Sequence, residues 1–348
     1  MARWDTPQDS GYDKLKADIK AKTPGGCYIL HGEEAYLRNY ELGRLKKLIL
    51  DDLTAEFNYH RFTQENFSME ALIDSVESYP MMAEKSLVQV DEIDLFSLSE
   101  SDRERLISMF EDIPDYCCLV FVYETTEFKP DKRKKKLWEA ISSHSLIVEF
   151  KKQSERALSE WIWRHFKAFE KEISQNLCSY LIMQTGGSMT LLEGEISKIA
   201  LYAEQTNITK ADIDAVVEPV LEAMVFDISN AIADGNYTLA LTKLQTLLKK
   251  QEEPVMIVGA IGSQMRRLNC AKILSEHGKG PDALMKLCSM GETPARITMN
   301  QARRLSAPFC EKAVLLCLQT DEQLKTSYDD KARLTELLVL RLSQEARL

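Results

Sequence analysis

Between residues 27 and 150, five short runs rich in β-branched and aromatic residues alternate with stretches of helical periodicity. The runs are "CYILH" (27–31), "FNYHRF" (57–62), "SLVQVDEI" (86–93), "CCLVFVYE" (117–124) and "SLIVEF" (145–150). Helical patterns begin near Glu33, Ser68, Ser99 and Asp131, the third behind a capping-box pattern "SLSE" from Ser97 to Glu100. Strand, helix, strand, repeated, predicts a parallel sheet with helices on both faces.

After "KKQSE" (151–155) the strand signals stop. Residues 156–216 hold three helical segments and a short capped one, "TKADIDAVV", with Thr209 and Asp212 in the box positions. From "EPVLEAMVFDISNAIADGNY" onward a longer helical array is broken at Gly235, Glu253-Pro254, "HGKGPD" and "GETPAR". The expected division is an α/β domain over 1–152, a small all-α module over 153–216 and an all-α domain over 217–348.

"YILHGEEAYLRNYEL" (28–42) is a strand that turns at a glycine into a helix, which is where phosphate loops sit. A nucleotide loop reads G-x-x-x-x-G-K-[ST], so that backbone N–H groups wrap the phosphates while Lys and hydroxyl serve the terminal phosphate and Mg²⁺. Counted from Gly32, those last three slots hold Leu37, Arg38 and Asn39. Leu37 puts a branched side chain where backbone must approach phosphate, and Glu33 and Glu34 place carboxylates where the helix dipole would draw an anion. The plainer reading is an ordinary turn with acids in the first helical turn. "LVQVDEID" ends an apolar strand in Asp91 and Glu92, the form of a Walker B motif, in which the first acid holds Mg²⁺ and the second activates water. The alternative is a strand end bearing solvated acids; without a phosphate cradle, the pair has no Mg²⁺·ATP to act on.

"YPMMAEKS" places Met81 and Met82 after a proline, where they are expected to head a short helix at the sheet end. Either they pack in the core or they form an exposed apolar wedge for a partner's pocket, a use that suits the adaptable Met side chain. "KPDKRKKK" gathers Lys129, Lys132, Arg133, Lys134, Lys135 and Lys136 at a helix start, readable as a solvated basic face or as a phosphate contact. The net charge of −10 excludes a free-standing nucleic-acid binder, so any DNA contact must be local or shared. Trp161 and Trp163 in "WIWRHF" fall on different helix faces and are expected to pack on two sides. The five histidines and "GGSMT" (186–190) carry no catalytic pattern, and the eight cysteines, without C-x-x-C or metal spacing, read as reduced core residues; no metal or cofactor is expected. "MARWDTPQDS" lacks an apolar signal core and no run nears 18 apolar residues, which points to the cytoplasm and away from a membrane.

Taken together, "YILHGEEAYL", "YPMMAEKSLVQV", "FKPDKRKKKLWEAI", "GGSMTLLEGEISKIALYAE", "VFDISNAIADGNYTLALTKLQTLL", "EEPVMIVGAIGSQMRRL" and "TDEQLKTSYDDKARLTELLVLRL" resemble, in order and over nearly the whole chain, the delta subunits of the bacterial DNA polymerase III clamp loader. The resemblance implies an AAA+-like α/β domain whose nucleotide loop (Gly32, Leu37, Arg38, Asn39) is a relic, a helical lid, and a C-terminal collar that joins the subunits. It implies no ATPase activity of the chain's own within a polymerase holoenzyme, and as partners the sliding clamp (beta), the tau/gamma and delta prime subunits, and primed DNA. It assigns clamp binding to Met81 and Met82 with Tyr79, and a possible DNA contact to Lys132, Arg133, Lys135 and Lys136. Met82 stands where the family often carries Phe, and "LKTSYD" around Lys325 departs from the family's usual "LKSG". Two readings of other classes stand beside it: an active but degenerate AAA+ ATPase using Asp91 and Glu92, and a non-enzymatic helical adaptor.

Overall fold

The computed structural model describes residues 10–347. The chain divides into two compact units that meet between Gln153 and Ser154; the segment 1–9, most of the stretch read above as lacking a signal core, lies outside the described residues. In the first unit, β1 (Gly26–His31), β2 (Tyr59–Phe62), β3 (Ser86–Asp91), β4 (Cys117–Val122) and β5 (Ser145–Glu149) form one sheet in the order β2-β3-β4-β1-β5. Every neighbouring pair is parallel, as the alternating pattern predicts.

Among the described residues six helices complete this unit: α1 (Ser10–Ala21), α2 (Ala35–Ile49), α3 (Ala55–Asn58), α4 (Met69–Glu77), α5 (Glu100–Glu111) and α6 (Lys135–His144). Successive residues of a strand point to opposite faces, so each strand feeds two cores. Cys27, Ile29, Val88, Val90, Leu119 and Phe121 pack with Leu72 and Val76 of α4, Leu106 and Phe110 of α5, and Leu137 and Ile141 of α6. Tyr28, Leu30, Leu87, Val120 and Val148 pack with Leu15 and Ile19 of α1 and with Leu42, Leu45 and Ile49 of α2.

Three local expectations need correction. "FNYHRF" is not all strand, because Phe57 and Asn58 close the one-turn α3 before β2 begins at Tyr59. The cap of α5 is Ser99, whose hydroxyl accepts from the Asp102 N–H, and not the Ser97–Glu100 box. Met81 and Met82 head no helix: residues 81–84 form a bend leading into β3, and the preceding α4 stops at Glu77.

The second unit is helical throughout its named elements. Its first part holds α7 (Glu155–Ala168), α8 (Gln175–Gln184), α9 (Met189–Tyr202) and α10 (Lys210–Val216), the last with the Thr209–Asp212 capping box in place. Then come α11 (Leu221–Ala233), α12 (Tyr237–Lys249), α13 (Pro254–Glu276), α14 (Pro281–Cys288), α15 (Glu292–Arg304), α16 (Ala307–Thr326) and α17 (Lys331–Glu345). One core runs through these seven, from Met224 on α11 by way of Ile261, Met299 and Phe309 to Leu342 on α17. The breaks fall where glycine and proline mark them; Pro254, for instance, opens α13 in the first turn, where its missing N–H costs nothing. Among the described residues, no helix is long and apolar enough to cross a membrane.

Candidate functional site

The turn after β1 is short. Gly32 has φ 120°, and α2 starts at Ala35, so Leu37, Arg38 and Asn39 are already helical rather than part of a loop wrapped round an anion. The turn is stitched to the end of β5: Glu34 N–H donates to the Phe150 carbonyl at 2.9 Å and Phe150 N–H donates to the His31 carbonyl at 2.7 Å. Leu37 is half-buried against the α1/α2 core. Arg38, 1% exposed, donates through Nη1 to the Gly32 carbonyl at 2.8 Å and through Nη2 to Glu124 at 3.0 Å. Asn39 donates to the same carboxylate oxygen at 3.1 Å. These donors, Arg38 first, hold the Glu124 carboxyl below its ordinary pKa, whereas burial raises that of Glu34.

The two acids after β3 are also engaged. Asp91 accepts from Arg61 Nε at 2.7 Å and from Gln89 Nε2 at 2.6 Å. Glu92, in the left-handed region at φ 61°, turns its carboxylate onto the 124–126 turn. It accepts from the N–H groups of Glu124, Thr125 and Thr126 and from the Thr125 hydroxyl. Desolvation pushes this carboxyl up, but hydrogen bonds from that turn together outweigh it and hold the pKa at about 2. Because the folded value lies below the ordinary 4.5, the stabilisation is complete above that pH and is lost as pH falls towards 2. Glu92→Gln is therefore expected to cost about 1–2 kcal/mol at neutral pH, after allowance for solvent screening. The loss should shrink on acidification, and urea unfolding at neutral and acidic pH measures it.

Asp91, Glu92, Glu124 and Glu65 share with Lys46, Arg61 and Asn39 a cleft of about 620 Å³ at the carboxyl ends of β2, β3 and β4. Its walls thus carry four carboxylates against two cations. Among the described residues no cluster of His, Cys, Asp and Glu has the arrangement to hold a metal ion.

The methionine segment lies elsewhere on the first unit. Met82 is 93% exposed, Met81 56% and Tyr79 81%, with the Tyr79 ring against Tyr116 at 4.8 Å between centroids. The segment is moored by Asn58, which sequence reasoning placed on a strand and gave no role. Its buried amide accepts from Met81 N–H at 2.7 Å and donates to the Met81 and Thr54 carbonyls at 2.9 and 3.0 Å. The only available hint was "FN" ahead of a β-run, and a tertiary hydrogen bond leaves no periodic trace. Leu53 and Phe57, which precede Asn58 in the chain, are exposed as well.

The basic run straddles a helix start, as expected: Lys134 is the N-cap of α6, Lys135 and Lys136 open the helix, and Lys132 and Arg133 lie in the turn before it. Arg133 pairs with Asp131 at 3.0 Å, Lys135 with Glu139 at 3.6 Å, and Lys134 folds onto the Phe96 carbonyl. Among the described residues no carboxylate pairs with Lys132 or Lys136, and both are exposed. In the second unit Trp163 is 44% exposed beneath Lys167, so the two tryptophans of α7 do not both pack inward. Six of the eight cysteines are buried; Cys270 and Cys288 are only half-buried.

A five-stranded parallel sheet in the order β2-β3-β4-β1-β5, with a glycine turn after β1 and acids at the end of β3, defines an AAA+-like α/β domain, here followed by helical domains. The comparisons identify the family more narrowly. Residues 28–151 match the model of the DNA polymerase III delta subunit, and residues 222–342 match the model of the C-terminal domain of the same protein. The chain belongs to the DNA polymerase III delta subunit family. It is 27% identical to the DNA polymerase III subunit delta of Bacillus subtilis over 90% of this chain and 92% of the relative. It is 22% identical to the probable DNA polymerase III subunit delta of Aquifex aeolicus over 91% of each. The solved structure of the Bacillus subtilis DNA clamp loader delta protein superposes with a TM-score of 0.62 at 25% identity, over 96% of this chain and 99% of that one.

Proposed function

We propose that this chain is the ring-opening subunit of a clamp loader, and that Met81 and Met82, with Tyr79, are the wedge that enters an apolar pocket of the sliding clamp. The observation that carries the proposal is the 93% exposure of Met82 beside a half-exposed Met81 on a backbone fixed by Asn58. Core packing, the other reading of these residues, does not describe side chains so far in solvent. The mechanism is a shift of population: the wedge binds better to the clamp conformation whose interface is sprung, and that difference in affinity drives the opening.

The residues around the β1 turn do not fit Mg²⁺·ATP. Arg38 is spent on Gly32 and Glu124, Asp91 on Arg61, and Glu92 on the 124–126 turn, while the neighbouring cleft is lined by an excess of carboxylates that repels triphosphate. This supports a subunit that leaves hydrolysis to its neighbours over an active degenerate ATPase. The isolated chain should accordingly release clamp rings from nicked circular DNA without nucleotide, and ATP should not change the rate. Acceleration by ATP would sink this part of the account.

We place the helical lid over 153–216 and the collar over 217–348, with the collar joining the tau/gamma and delta prime subunits; Leu315 and Leu318, exposed on α16, supply apolar surface for that assembly. Primed DNA in the assembled loader meets Lys132 and Lys136, the exposed members of the basic run with which, among the described residues, no carboxylate pairs. Replacing both with alanine should lower the salt dependence of loader binding to DNA by up to about 2 in the slope of log K against log salt. An unchanged slope would reduce the run to a solvated face.

A further inference from the structure

We infer that Asn58 is the positioning residue of the wedge, an inference that rests on Met81 and Met82 being the clamp-binding element. Asn58 is 1% exposed and its amide is fully committed: Oδ1 takes the Met81 N–H, while the two Nδ2 hydrogens go to the Met81 and Thr54 carbonyls. Rotating the amide by half a turn would set its oxygen against two carbonyls, so the network fixes its orientation. Gripping both the N–H and the carbonyl of one residue fixes the place and the rotation of that residue.

The grip matters because, among the described residues, no other hydrogen bond holds this stretch of backbone: the bonds from Asn58 are the only ones made by the backbone of residues 79–84. Met82 follows directly at φ 52°, a left-handed conformation that a residue with a side chain keeps only when its surroundings hold it. Asn58 in turn closes α3 and leads straight into β2, so the two methionines are referred to the sheet itself rather than to a free loop. A wedge ordered before contact loses little conformational freedom on binding; a loose one must be ordered by the clamp.

The test measures the affinity of the full chain for the sliding clamp with the wild type, Asn58→Ala, Met82→Ala and the double variant, together with hydrogen exchange at the Met81 amide. Asn58→Ala should weaken binding by about ten- to a hundredfold and speed exchange at Met81. In the Met82→Ala background the same change should have a clearly smaller effect, since a mispositioned side chain that is already truncated has less to lose. A folded Asn58→Ala protein that binds like wild type, or an effect that multiplies in full in the double variant, overturns the inference. Should the alanine variant not fold, Asn58→Asp gives an independent readout. Protonated, its carboxyl again offers a donor and an acceptor, so relative to wild type its binding should recover between about pH 8 and about pH 5. A ratio that stays constant with pH contradicts the inference. Met82→Ala binding as tightly as wild type would instead refute the wedge itself.

Discussion

Replacing Gly32 with alanine is expected to cost about 3–5 kcal/mol, a large fraction of the stability of an ordinary domain. The backbone there has φ 120°, which L residues rarely adopt, and holding one there costs about 1–3 kcal/mol. A Cβ would also lie 2.5 Å from the Phe150 carbonyl oxygen and 2.7 Å from its nitrogen. Relief by backing away is blocked, because hydrogen bonds from Glu34 to Phe150 and from Phe150 to His31 bind the turn to the end of β5. In a working phosphate loop the same glycine would serve the ligand; here it serves the packing of two strand ends. Gly43, inside α2 with nothing within 4 Å of its would-be Cβ, is the control: Gly43→Ala should stabilise by about 0.5–1 kcal/mol. Urea unfolding of both variants checks the pair, and a Gly32→Ala protein as stable as wild type would show that the turn is not locked.

The sheet was legible because a parallel strand buried on both faces leaves a dense apolar run, and all five runs contain a strand. Helices closed by Gly235 or opened by Pro254 were legible for the same reason, that backbone chemistry is local. α1 went unnoticed, since its contribution is a pair of buried residues, Leu15 and Ile19, within a charged stretch. At the site, the sequence revealed what the loop lacks and hid what replaces it. Leu37 and Arg38 visibly break the nucleotide pattern, but the partner that neutralises Arg38 is Glu124, 86 positions away, and no spacing rule reaches so far. Asn58 was hidden likewise: an asparagine beside Tyr59 reads as the start of a strand until Met81 folds back onto it. The exposure of Met82 is a tertiary property as well, which is why the sequence left the wedge and the core as equal readings.

The second large effect concerns that pair. Met81→Ser together with Met82→Ser should weaken clamp binding by about two to four orders of magnitude. Burying each Met side chain contributes about 1.5–3 kcal/mol, and about 1.4 kcal/mol is a tenfold change in affinity. Met82 should carry the larger share, because it has more surface left to bury than Met81. Stability should hardly change, since side chains this exposed contribute little to the folded core, and so the double variant separates binding from folding.

The most direct test is a titration of the full-length chain and of the folded Met81→Ser, Met82→Ser variant against the sliding clamp of the same organism, at one fixed salt concentration. A saturable complex is expected for the wild type and its loss in the variant, with both proteins melting at the same temperature. A wild-type chain that ignores the clamp, or a double variant that binds it as tightly, would contradict the account.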